Sequence, residues 1–101
     1  MTRDEIIDRI RQNESRLKSR GVRHLALFGS RMRGDHRSDS DLDMLVDIDP
    51  AQAKFSLLDL AGVCSIVEDL TGIETIAIER PMLARQPEFA RRIAPDVIEI
   101  F

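Results

Sequence analysis

The chain is 101 residues long, 43% hydrophobic and 33% charged, so residues 1–101 are expected to form one small domain that shields its core with little to spare. Its net charge is −3, its basic residues are interspersed with acids, and it has no Trp or Tyr. It therefore lacks both a concentrated cationic surface and an aromatic platform for bases, and long nucleic acid is not an expected ligand. A single cysteine, Cys64, excludes an internal disulfide, and no Cys/His zinc spacing occurs. The charged start Met1-Thr2-Arg3-Asp4-Glu5, with no long apolar run after it, gives the expectation of no signal peptide, no membrane span and a cytoplasmic location.

In chain order, Thr2 and Glu5 form a capping box ahead of Ile6, Ile10 and Leu17, which predicts a first helix from about Asp4 to Arg20, closed by Gly21. Val22 to Phe28 reads as a strand running into Gly29-Ser30. A polar loop containing Gly34 leads to a second strand, Leu42 to Ile48, which stops before Pro50. Ser56 and Asp59 open a second helix that runs to about Leu70, with Thr71-Gly72 ending it. Leu57, Leu60, Ala61, Cys64 and Val67 make one stripe on this helix, while Leu58, Val63, Ile66 and Leu70 lie largely outside it. The helix is thus more than singly amphipathic, and one face is available for a partner. Ile73 to Ile78 reads as a third strand and Pro87 to Ile93 as a last helix, followed by the apolar tail Val97 to Phe101. Both the second helix and this tail are either core elements or contact surfaces.

The chemistry concentrates where the first strand meets the second. Gly29-Ser30 sets a turn of free backbone N–H groups and a hydroxyl at a strand end, a place suited to phosphate oxygens. Ten residues later, Asp41 and Asp43 open the next strand. The two-residue period of a strand puts both carboxylates on one face, where they repel unless a cation lies between them. Arg31 and Arg33, between turn and carboxylates, are candidate phosphate clamps. His36 reads as a solvent-facing loop residue, His24 and Cys64 as packing residues, and Asp47 and Asp49 as surface charge at the far end of the strand.

The ordered string Gly-Ser, ten residues, Asp-x-Asp resembles the signature of the polymerase-beta-like nucleotidyltransferase superfamily, and the chain around it is similar to the minimal nucleotidyltransferases of bacteria and archaea. Ser56-Leu57-Leu58-Asp59-Leu60 to Gly72 and the Arg91-Arg92-Ile93 region share the likeness. It implies an α/β (α+β) fold with a small mixed sheet of three or four strands flanked by helices. It also implies that Asp41 and Asp43 hold Mg2+, that Gly29, Ser30, Arg31 and Arg33 bind the triphosphate of ATP, and that AMP is transferred. Members of this size are usually paired with a helical HEPN-class RNase toxin, which they neutralise by placing AMP on its tyrosine hydroxyl. The chain has no tyrosine of its own, so a second protein must supply the acceptor and a hetero-oligomer is expected.

The pattern departs at one place. A third family carboxylate, which helps hold the metal and takes the proton of the attacking hydroxyl, aligns with Ile76. Glu74 lies two residues earlier on the same strand face. Two functions stay open: a transferase in which Glu74 or the partner supplies the missing group, and a nucleotide-binding antitoxin that neutralises its toxin by contact. An aminoglycoside-type transferase fits less well, because no added domain forms an acceptor pocket.

Overall fold

The computed structural model describes all 101 residues. Four strands, β1 (Val22–Phe28), β2 (Leu42–Ile48), β3 (Thr75–Glu79) and β4 (Ile98–Glu99), form one sheet in the order β3-β2-β1-β4. β1 pairs antiparallel with both β2 and β4, and β2 pairs parallel with β3, so the sheet is mixed. The parallel pair needs a crossover, and α4 (Leu57–Thr71) supplies it. Helices α1 (Arg3–Arg11) and α2 (Glu14–Lys18) precede the sheet, the single turn α3 (Ser30–Arg33) follows β1, and α5 (Pro87–Ile93) lies between a 3-10 segment, Arg80–Arg85, and β4. No helix is long and apolar enough to cross a membrane.

Strand alternation gives the sheet two apolar faces. Leu25, Leu27, Leu42, Met44 and Val46 pack on Ile6, Ile7, Ile10 and Leu17 from α1 and α2 and on Val63, Ile66 and Val67 from α4. The opposite face is smaller: Ala26, Phe28 and Leu45 meet Ile93, Ile78, Leu83, Phe89 and Val97, with Phe28 and Phe89 edge to face at 6.2 Å. Asp43 and Leu45 share this second face, so the candidate site opens at its rim.

Two sequence expectations need correction, and one open alternative is decided. The first helix is two: the Asn13 side-chain amide donates to the Arg9 carbonyl at 2.8 Å and Asn13 leaves helical geometry (φ −111°, ψ 20°), separating α1 from α2. An asparagine side chain that satisfies a backbone carbonyl competes with helix continuation. The third strand starts later, at Thr75, because the Thr71 hydroxyl accepts from the Ile73 N–H and the Thr75 N–H donates to Glu68, holding Ile73 and Glu74 in a turn. The tail is core rather than a contact surface: the Ile100 N–H donates to the Leu25 carbonyl at 2.8 Å, and Ile100 is buried.

α4 keeps its sequence-read ends, a Ser56/Asp59 capping box and Gly72 at φ +71°. It buries Val63, Ile66 and Val67 while Leu57 and Leu58 stay more than four-fifths exposed.

Candidate active site

β1 delivers its chain into Gly29, whose φ of +82° disfavours any side chain and turns the backbone directly into α3. A Cβ built on Gly29 would overlap the Asp43 carboxylate, with Asp43 Cγ only 3.1 Å away. Glycine here makes the space in which Asp43 is seated. Ser30 is half-buried at the first position of α3, where N–H groups of a first turn have no intrahelical acceptor.

Asp43 is in register with Phe28 of β1 on one side and Ile76 of β3 on the other. Parallel neighbours in register project to the same side, so Ile76 stands beside Asp43, and it is about half exposed (48%). One step back, the Leu42 N–H donates to the Glu74 carbonyl at 2.8 Å. This bond brings Glu74 alongside Asp41, and both line a depression of about 270 Å³ with Arg31, Ser38, Asp39, Ser40, Gly72 and Ile73.

The electrostatics follow from this layout. Partial burial raises the Asp43 carboxyl above its ordinary range, the neighbouring Asp41 raises it further, and Arg33 pulls it back. No three His, Cys, Asp or Glu side chains converge tightly enough to hold a metal unaided. Two half-buried oxygen donors under mutual repulsion nonetheless fit Mg2+, which is commonly held by one or two carboxylates together with substrate phosphates.

The two arginines are differently engaged. Arg31 is buried, its Nε donating to the Ser40 carbonyl at 2.9 Å and its Nη2 to the Ser38 carbonyl at 3.4 Å. It fixes the loop that leads into Asp41, and two of its donors are committed there. Arg33 is exposed and pairs through Nε with Asp35 at 3.1 Å and through Nη1 with Asp96 at 2.9 Å. These carboxylates raise its pKa, Asp35 foremost. His36 lines a polar recess with Thr2, Arg3, Asp4, Arg31 and Gly34. At the far end of β2, Asp47 forms an ion pair with Arg80 at 3.0 Å, so it is tied rather than free surface charge. Asp96 escaped the sequence reading altogether, since nothing in the Ala94-Pro95-Asp96 turn signals a partner so remote in the chain.

A Gly-Ser turn thus abuts Asp43 at the sheet rim, with Asp41 just ahead of the same strand. The sequence pattern of the nucleotidyltransferase domain family matches residues 4–99, and the chain belongs to that family. A candidate protein adenylyltransferase of Methanocaldococcus jannaschii is 31% identical over 98% of both chains. The protein adenylyltransferase MntA of Thermococcus cleftensis is 40% identical over 58 residues, which cover 54% of this chain and 59% of that one. Among solved structures, a candidate minimal nucleotidyltransferase superposes with a TM-score of 0.75 at 28% identity, covering 97% of this chain and 95% of the other. A Sulfolobus solfataricus nucleotidyltransferase shares the fold at a TM-score of 0.54 and 17% identity, over 96% and 80% of the two chains.

Proposed function

We propose that this protein moves AMP from ATP onto a side-chain hydroxyl of a partner protein, and that the partner is a HEPN-class helical RNase toxin for which it is the antitoxin. The observation that supports this reading is the seating of Asp43 against Gly29, with the Gly29-Ser30 turn beside it at the sheet rim. Asp41 and Asp43 would hold magnesium, whose charge would offset that of the phosphates during in-line displacement. Gly29 and Ser30 offer backbone N–H and hydroxyl donors to the triphosphate, and Arg33 offers a cation beside them. The acceptor oxygen bonds to the α-phosphorus, the bond to pyrophosphate breaks, and the hydroxyl proton goes to a base. Glu74, flanking Asp41, is the carboxylate of this chain on hand for it.

A partner protein as acceptor is supported by two features. The chain has no tyrosine to modify. Leu57 and Met82, both exposed, line an apolar groove of about 480 Å³ with Leu60, Ile78, Leu83 and Phe89.

A second reading, an antitoxin that binds nucleotide and toxin without efficient transfer, is favoured by Ile76 standing where Asp43 would otherwise have a carboxylate neighbour. Incubating the protein with its genomically adjacent helical partner, ATP labelled at the α-phosphate and magnesium separates the two. Label on the partner that disappears with Asp41→Asn and Asp43→Asn is the expected result. An unlabelled partner whose RNase activity is nevertheless suppressed would establish the second reading instead.

A further inference from the structure

We infer that Asp96 is a positioning residue that holds the Arg33 guanidinium on the triphosphate side of the site, so that the turn before β4 takes part in nucleotide binding. The inference rests on the nucleotide site proposed above and adds to it a residue from the other end of the chain. Arg33 is gripped twice, Nη1 by Asp96 at 2.9 Å and Nε by Asp35 at 3.1 Å, which leaves the two N–H groups of Nη2 and the second of Nη1 for a ligand. The two grips differ. The Asp35 side chain is 63% exposed, whereas that of Asp96 is 15% exposed and is carried by a 3-10 turn, Ala94–Asp96, between the buried Ile93 and β4. Asp96 is therefore the fixed anchor and Asp35 the side chain that water can readily replace.

A guanidinium is a planar fork, and fixing one prong fixes the direction of the others, which reduces the side-chain freedom lost when a phosphate oxygen binds. The anchored residue closes the single turn α3 that starts at Ser30, its own N–H donating to the Gly29 carbonyl at 3.1 Å, so the fork springs from the same turn as the phosphate donors proposed above. A free arginine would supply the same charge with less order. Asp96 thus acts on the triphosphate only through Arg33, while its own negative charge, taken alone, would repel it.

Those opposed effects make the test decisive. ATP-magnesium binding by titration calorimetry, with a thermal melt of each variant, would compare the parent with Asp96→Asn, Asp96→Glu, Arg33→Gln and the double variant Arg33→Gln/Asp96→Asn. Arg33→Gln is expected to weaken binding roughly tenfold and Asp96→Asn about threefold, with Asp96→Glu intermediate between parent and Asp96→Asn. In the Arg33→Gln background neither Asp96 substitution should weaken binding further, the coupling expected of a residue acting through another. A folded Asp96→Asn that binds as tightly as the parent or more tightly overturns the inference, as does a double variant whose losses simply add. If Asp96→Asn fails to fold, Asp96→Glu measured in both backgrounds decides the same question. Binding lost with Asp41→Asn but untouched by Asp96→Asn would leave the nucleotide site standing and remove only the role of Asp96. A parent that does not bind ATP-magnesium would remove both.

Discussion

At the scale of single residues, Asp43 sets the energetics of the site. Its folded pKa is raised by burial and by Asp41 above an unfolded value of about 3.9, so the native state holds the proton more tightly. The stability this gives is complete below the unfolded pKa and is lost as pH rises through the folded pKa. In metal-free buffer, Asp43→Asn should thus melt at or above the parent's temperature at neutral pH, with the difference shrinking as pH falls through that window. Its ATP-magnesium affinity should fall by at least the roughly 10–100-fold that losing even an indirect metal partner costs. A variant less stable than the parent at neutral pH would show that Asp43 is held by favourable contacts, not tolerated against repulsion. Gly29→Ala tests the seat itself. The positive φ costs a side chain about 1–2 kcal/mol, and the new methyl occupies the place of the carboxylate. Chemical denaturation should show the first loss, and adding Asp43→Ala should relieve only the steric part. Ile76→Asp would put a carboxylate in register with Asp43. It should raise AMP transfer in single-turnover assays toward the roughly 10²–10⁴-fold open to general-base catalysis, while lowering metal-free stability at neutral pH. A folded variant no faster than the parent would mean that Glu74 or the partner already supplies the proton acceptor.

At the scale of elements, α4 divides its leucines from its core. Ile66→Ala should cost about 2–5 kcal/mol, because Ile66 is packed against the sheet. Leu58→Gln should change stability by about 0.5 kcal/mol or less, since the side chain is 84% exposed, while weakening any complex with the proposed helical partner. Urea melts of the two, followed by a pull-down with the partner, check both halves. What could be read from the sequence followed the range of the interactions involved. The ends of α4 were legible because the Ser56/Asp59 box and Gly72 act within one turn, and β2 because its apolar run stops before Pro50. The break at Asn13 was not, because one side-chain hydrogen bond decides it against a continuous apolar stripe. Nor were the Arg33–Asp96 pair, 63 positions apart, and the placement of the tail in the sheet, which no local pattern in four apolar residues and one glutamate distinguishes from a docking peptide.

At the scale of the whole molecule, the second edge of β1 is closed by residues from the far end of the chain. Ala26 is in register with Glu99 and Leu27 with Ile98. Arg80 braces the arrangement by gripping Glu99 with two hydrogen bonds at 2.9 and 3.0 Å while its Nε lies 3.0 Å from Asp47 as an ion pair, not an aligned hydrogen bond. Removing residues 97–101 forfeits the burial of Ile100, about 1.5–3 kcal/mol, and backbone hydrogen bonds of about 1 kcal/mol each. Against a total stability of about 5–15 kcal/mol for a domain, the shortened chain should lose its cooperative melt or show it many degrees lower by circular dichroism. An unchanged melt would mean that β4 is an ornament on a three-stranded core.

The same closure sets an order of events at the ribosome. β1 is made long before the strand that covers its outer edge, so for most of translation the nascent chain presents Leu25 and Leu27 on a strand with open hydrogen-bonding groups, the state in which unpaired strands recruit wrong neighbours. The hairpin of β1 and β2 is sequence-local and available early, but its edge is sealed only when Ile98 and Ile100 arrive, which makes newly synthesised protein more vulnerable to aggregation than the finished fold.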